Sequence, residues 1–232
     1  MDGRAPFTSE GGAISRFEGE GAPARAPERR VRARAESAEQ VLRGCPTLRL
    51  EPGEVRPAWS LPAATLLAVE TGFVAVRRPA PPAPRAVIVD DAAAGGVLLA
   101  PTPDDELVGL VQSRARIVSS ATLDRLLSAS AHVVWDPLAS ALRRREELIA
   151  SLSNPRHIER VRDTFLRLAR DHGKVDGRGV RIDLPLTHEL LAEMVCSARE
   201  TVTRAVDQLE REGFLERALG GYRVSVDPEH LV

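Results

Sequence analysis

The sequence predicts an α+β fold in three successive parts: a β-sandwich or barrel, a helical segment, and a helix-turn-helix with a hairpin behind it. Three observations predict it. Short Val/Leu-rich runs broken by turn residues follow one another from Thr47. After Ser120 apolar residues recur every three or four positions, which is the helical period. From His188 the spacing is that of two short helices around a tight turn.

Size and charge bound what the chain can be. Its 232 residues suffice for two modest domains with a core in each. A formal net charge of −1 gives no bulk attraction to nucleic acid or membrane, so any anion must be met by local arrangements. Lys174 is the only lysine, an arginine bias that a GC-rich genome produces without functional pressure. Cys45 and Cys196 are the only cysteines, too few for a disulfide framework or a four-cysteine zinc or iron–sulfur site. With no long apolar run and no apolar signal core at the N-terminus, a soluble cytoplasmic chain without membrane contact is expected.

Residues 1–44 are rich in Gly, Ala, Pro, Arg and Glu and cannot bury enough surface to offset ordering entropy, so a disordered tail is expected. Its basic run RAPERRVRAR (25–34) reads as solvated, with a phosphate-binding arm as the alternative. Residues 45–122 hold TLRL, TLLAVETGFVAVRR, AVIV, GVLLA, LVGLV and ARIVS, punctuated by Pro52-Gly53, the proline-rich 79–84, Gly95-Gly96, Pro101 and Pro103. Gly72, inside the longest run, marks a tight turn between two strands.

Residues 123–152 are helical by period. Asp136-Pro137 is either a cap with proline at the first helical position or a kink inside a longer helix. Beyond it Leu138, Ala141, Leu142, Leu148, Ile149 and Leu152 form a stripe interrupted at Arg145. Taken alone, that stripe fits a coiled coil with a second copy or packing on the chain's own barrel equally well. Asn154-Pro155 opens the last part, 153–232, with a helix that should stop at Gly173 and bury Val161, Phe165, Leu168 and Ala169. KVDGRGVRIDLPL then reads as a turn and a short strand, and Thr187 caps the next helix.

The stretch that carries chemistry follows. Leu191, Val195, Val202 and Ala205 supply apolar contacts, small Ala192 sits where two helices cross closely, and the turn lies at Val195–Ser197. On the second helix Val202, Ala205, Val206 and Leu209 fall within about 100° of arc and face the core. Arg199, Glu200, Thr203 and Arg204 take the other side within the first two turns. A merely solvated helix favours acids at its N-terminus, yet arginines stand where a recognition helix points its reading end. An arginine fork matches guanine O6 and N7, and a carboxylate accepts from cytosine N4. Glu200 can also brace an arginine fork, while the hydroxyls of Thr201 and Thr203 suit phosphates. EGFLERALGGYRVSV reads as a turn, a strand, Gly220-Gly221 as hairpin turn and a second strand, a wing from which Arg217 and Arg223 reach phosphates.

LTHELLAEMVCSARETVTRAVDQLEREGFLE resembles the C-terminal domain of the CRP/FNR superfamily of bacterial transcription regulators, matching LA…G.SRETVSR.L..L...G.I without a gap. The resemblance implies a winged helix-turn-helix with Arg199, Glu200 and Arg204 on the family's base-contacting positions and a G·C-containing half-site of the TGTGA kind. Cys196 departs from the usual turn glycine and Ala198 from the usual capping serine, for which Ser197 substitutes. NPRHIERVRDTFLRLARDHG continues the likeness, and LRLEPGEV with LLAVETGFVAV resembles early strands of a cyclic-nucleotide-binding β-roll or jelly-roll. The implied architecture is a sensor-like β domain, a long connecting and dimerisation helix at 123–152, and the winged helix. The implied partners are double-stranded DNA, a second copy of the chain on palindromic sites, and RNA polymerase.

The family's cyclic-AMP site does not carry over. GGVLLAPTPDDELVGLVQSRARIV has Gly95-Gly96 without the following glutamate or the later arginine, and Asp104, Asp105 and Glu106 repel a phosphate. Arg77, Arg78, Arg85, Arg114 and Arg116 read as solvated strand edges, with another anion such as a cyclic dinucleotide as the alternative; no ligand at all is also open. No cofactor or metal is expected, since His132, His157, His172, His188 and His230 show no ligand spacing. HELLAE lacks the second histidine of a zinc-protease helix, and Cys196 and His188 make no credible nucleophile–base pair, so no enzyme site is legible. Two rival readings keep the same scaffold: an architectural DNA-coating protein without base preference, and an adaptor whose barrel docks another protein.

Overall fold

Antiparallel pairing folds the first half of the chain into two four-stranded sheets laid face to face. The computed structural model describes residues 38–81 and 85–227. One sheet runs β1 (Thr47–Leu50), β8 (Ser113–Val118), β3 (Leu66–Thr71), β6 (Val97–Leu99); the other runs β2 (Val55–Pro57), β7 (Glu106–Gly109), β4 (Phe73–Ala80), β5 (Arg85–Ala93). Alternation decides what lies between them. Leu48, Leu50, Leu67, Val69, Leu98, Ala115 and Ile117 from the first sheet meet Val74, Val76, Ala92 and Leu107 from the second.

Gly72 passes the chain from one sheet to the other rather than closing a hairpin within one. Its φ is +82°, and a Cβ there would lie 2.3 Å from Ser113 Oγ and 2.4 Å from Gln112 O. Only glycine fits both constraints.

The outer faces of both sheets are also covered, which is why β4 reads as a continuous apolar run. Helix α2 (Ser120–Ala129), capped by Ser119 Oγ accepting from Thr122 N, and helix α3 (Ala131–Leu152) cover the first sheet. Helix α1 (described over residues 38–43) joins them: Ala38 is buried, with Val41 and Leu42 packed beside it. The end of the stretch expected to be a solvated tail is therefore docked, because Ala38, Val41 and Leu42 share one helical face; its residues 1–37 lie outside the described residues. Pro137 is inside α3, so Asp136-Pro137 is an internal proline and not a helix start. The buried phase of Val134 and Ala141 continues across it.

The second half builds helix α4 (His157–His172), β9 (Lys174–Asp176), β10 (Gly179–Ile182), α5 (His188–Met194), α6 (Arg199–Arg211), β11 (Leu215–Ala218) and β12 (Gly221–Val224). Its strands form one sheet in the order β11-β12-β10-β9, so the stretch expected as one short strand is a hairpin. Helix α4 stops at Gly173 as its sequence predicts but starts later than Pro155, because Asn154 Oδ1 accepts from Arg156 N at 3.0 Å and holds a turn.

Phe73, Ala75, Ile88 and Leu110 on the outer face of the second sheet belong to the same buried cluster as Phe165, Leu191, Met194, Val195, Val202 and Leu209. Barrel and winged helix thus share a core. Polar contacts reinforce it: Arg167 on α4 donates twice to Asp91 on β5, both at 2.8 Å, and Arg77 on β4 meets Glu193 on α5 at 3.5 Å. Burial alone would raise the Asp91 carboxyl, but Arg167 and His172 overrule it and hold it well below the usual carboxylate range. Burial pushes Asp90 and Glu193 up, against Arg145 and Arg77 respectively. Among the described residues no helix is long and apolar enough to cross a membrane.

Candidate nucleic-acid interface

The exposed start of α6 is set by a turn between α5 and α6. Thr187 Oγ1 accepts from Leu190 N and starts α5. Helix α5 closes at Met194, and Cys196 takes φ +49°, the left-handed conformation that glycine adopts without penalty. The turn is thus made with the geometry of a glycine turn by a residue that is not glycine. Ser197 does not cap α6. Ala198 occupies the N-cap position without a side-chain bond, and Ser197 Oγ lies 3.0 Å from His157 Nδ1 on α4 instead.

Helix α6 divides as its sequence predicts: Val202, Ala205, Val206 and Leu209 are buried. Arg199, Glu200 and Arg204 are exposed on its first turns. The structure brings these three together on one open surface, and none of them joins an ion pair among the described residues. Arg204 is steadied at 3.3 Å by the main-chain carbonyl of Glu200, not by its carboxylate, and more loosely by Thr201 Oγ1 at 3.5 Å. Thr203 is half-buried; its hydroxyl donates to Arg199 O at 3.0 Å and lies 2.8 Å from His188 Nδ1, whose Nε2 meets Tyr222 Oη. That hydroxyl is engaged within the protein, unlike the free phosphate donor it was expected to be. The linkage through His188 and Tyr222 is not visible in sequence, because it joins three elements.

The wing closes through Leu219 and Gly220, with Ala218 opposite Gly221 and Gly220 at φ +83°. Gly221 belongs to β12, where its hydrogen lets the backbone approach Ile182 O. Arg217 is exposed and tied to the exposed side of α6 by Glu210 at 2.7 Å and Asp207 at 3.8 Å. The Glu210 bond, then its charge, raises the Arg217 pKa. Arg223, expected to reach a phosphate, is 7% exposed and held by Glu216 at 2.5 Å and Asp176 at 3.0 Å, so its guanidinium braces the sheet. Cross-strand register places Glu216 directly opposite it.

The stripe on α3 splits in the same way. Leu142 and Ile149 are 53% and 66% exposed, and Trp135, not singled out from the sequence, stands at 60% one heptad earlier. Leu138 and Leu152 flank them half-buried. Ala141 is fully buried in the chain's own core, and Leu148 lines the cleft between α3 and α4. Ala141 is thereby corrected to internal packing, while Leu148 stays half-buried. Arg145 interrupts the stripe because it turns inward to the buried carboxylate of Asp90. The barrel arginines are mostly paired as well: Arg77 with Glu106, Arg78 with Asp105, Arg114 and Arg116 with Glu70.

Residues 159–232 match the family model of the Crp-like helix-turn-helix domain. That segment is therefore a Crp-like helix-turn-helix domain. The chain is 40% identical over 76 residues to the global nitrogen regulator of Synechocystis sp., a match covering 33% of each chain. The chain therefore matches about a third of that curated relative's length. Over most of the molecule it superposes on TTHB099, a CRP-family transcriptional regulator from Thermus thermophilus, with TM-score 0.63, 22% identity, and coverage of 79% of this chain and 94% of that one. It superposes likewise on the c-di-GMP responsive global regulator CLP from Xanthomonas campestris, with TM-score 0.62, 18% identity, and coverage of 83% and 100%. At those identities the likeness shows the fold.

Proposed function

We propose that the chain is a sequence-specific DNA-binding transcription regulator that acts as a homodimer on palindromic sites with G·C-containing half-sites. One observation carries this reading. Two guanidinium groups and a carboxylate (Arg199, Arg204 and Glu200) stand exposed, without ion pairs among the described residues, at the start of a helix whose other side is anchored in the core. Arginine forks and a carboxylate so placed suit guanine and cytosine edges in a major groove. Support for the dimer comes from Trp135, Leu142 and Ile149, an apolar seam of heptad spacing left open on α3. A two-fold pair then matches half-sites one helical turn apart, and RNA polymerase is the partner through which it changes transcription.

Cyclic AMP is not its signal in this reading. The space between the sheets is filled by Leu48, Leu67, Leu98 and Leu107, and the loop before β7 holds Asp105 buried against Arg78 at 2.7 and 2.9 Å. The barrel works without a ligand or takes a cyclic dinucleotide, as the relative from Xanthomonas campestris responds to c-di-GMP. Melting curves with each nucleotide separate these alternatives. A coating protein without base preference is disfavoured by the net charge of −1, since such binding relies on broad positive charge.

The decisive experiment measures binding to a labelled G·C-containing palindrome and to a scrambled duplex at one salt concentration. The palindrome should bind more tightly, and Arg204→Ala should erase preference at one base pair per half-site, about 1–3 kcal/mol. Equal affinity of the native protein for both duplexes would remove the reading.

A further inference from the structure

The first turn of α6 is held from outside the helix. Helix α6 has no side-chain cap, and a helix end without one keeps its opening turn weakly. Arg199 stands on that turn, so the direction of its guanidinium depends on what fixes the main chain beneath it. The hydroxyl of Thr203 does so by donating to Arg199 O at 3.0 Å. Threonine in a helix divides between rotamers, only some of which allow this back-bond. The bond lasts while something selects the rotamer.

His188, at the start of α5, selects it. Its Nδ1 lies 2.8 Å from Thr203 Oγ1. A hydroxyl has one hydrogen, and Arg199 O takes it, so the imidazole gives its own from Nδ1 and is left with Nε2 as acceptor. Tyr222 Oη faces that nitrogen at 3.4 Å. Burial pushes the Tyr222 phenol up, so it keeps the hydrogen this bond needs. Tyr222 is itself fixed: it is 7% exposed and lies edge-on to Phe165, with ring centroids 5.0 Å apart. Hydrogens therefore point one way along a relay, from the wing strand β12 through α5 to the opening turn of α6. The wing's other ties to α6, from Arg217 to Glu210 and Asp207, fall in its last two turns and leave the first to this relay.

We propose that His188 is a positioning residue for base reading: through Thr203 it fixes the main chain under Arg199, and through Tyr222 it sets that turn against the wing. The proposal rests on the DNA-binding reading above and deepens it by naming what orients one of its arginines. Both ring nitrogens are engaged inside the chain, so His188 acts through its neighbours and not by a contact of its own to a nucleotide.

Binding of the full-length protein to the palindrome and to the scrambled duplex, compared across a salt series, tests it. His188→Ala should cut the ratio of the two affinities by about tenfold, the scale of one misplaced bidentate base contact, with the scrambled duplex bound as before. Thr203→Val, nearly isosteric and without the hydroxyl, should do the same, and it keeps the test sharp if His188→Ala does not fold. His188→Asn, whose amide places an N–H close to where Nδ1 stands, should restore most of the ratio. In an Arg199→Ala background, His188→Ala should take nothing further from the ratio, because both changes act on one contact. A folded His188→Ala or Thr203→Val with the native ratio overturns the proposal. So does a further loss beside Arg199→Ala, or a parallel loss on both duplexes with a shallower salt dependence, which would make His188 a phosphate ligand. If the native protein prefers neither duplex, the sequence-specific regulator reading falls and the positioning role falls with it. A native preference that survives these variants removes the positioning role alone.

Discussion

Arg167 and Arg204 lie in the same Crp-like domain, one turned towards the barrel and the other towards solvent. Arg167 is buried and commits two nitrogens to the carboxylate of Asp91, each at 2.8 Å. Arg204 is exposed and holds only a main-chain carbonyl and a distant hydroxyl of its own helix. The first is finished as a structural element, since both halves of its charge balance lie inside the chain. The second still has most of its donors to give. Satisfaction, more than the type of side chain, separates the arginines that hold this fold from those available to a ligand.

The largest way to break that contrast is to unbalance the interior. Asp91→Ala leaves the Arg167 guanidinium buried without its partner and should cost about 3–5 kcal/mol, read as a lower denaturation midpoint. A midpoint that barely moves would mean the pair is solvated in solution. Acid should reach the same pair without mutation. The folded carboxyl of Asp91 is lowered, so its contribution is complete above the unfolded value of about 3.9 and fades as pH falls through and below it. Asp90, whose carboxyl is raised by burial, works in the opposite sense. A melting series from neutral pH to pH 3 should therefore decline more gently in Asp91→Asn than in the native chain.

Smaller effects belong to the open side. Arg199→Ala should leave the melting temperature nearly unchanged and cost about 1–3 kcal/mol of discrimination at one base pair, measured with single-base operator variants. Arg217 sits between the two classes, exposed yet paired with Glu210. Arg217→Ala should lower stability by only about 0.2–1 kcal/mol. A larger loss in urea titrations would place it with Arg167.

Legibility follows the same divide. The buried face of α6 was readable because Val202, Ala205, Val206 and Leu209 obey one local period, and Thr187 announced its helix by residue type alone. The exposed side needed nothing more than its complement. By contrast, Asp91 and Arg167 are 76 positions apart, and no local pattern links them. Arg223 looked like a phosphate ligand until strand register set Glu216 opposite it. Ser197 looked like a cap until α4 brought His157 within reach. Trp135 is masked in the sequence by Pro137, which suggests a break where the helix in fact runs on. The misses at Asp91, Arg223 and Ser197 are tertiary pairings that sequence spacing does not encode.

Phe73, Ala75, Ile88 and Leu110 contribute to the same cluster as the helices behind the reading face. Mutational screens for lost operator binding should therefore recover changes in strands that never approach a nucleotide. Conversely, a fragment trimmed to the Crp-like residues alone would bare a greasy flank and need a replacement cover to stay soluble. Anyone grafting this reader onto another protein would have to carry the second sheet along with it.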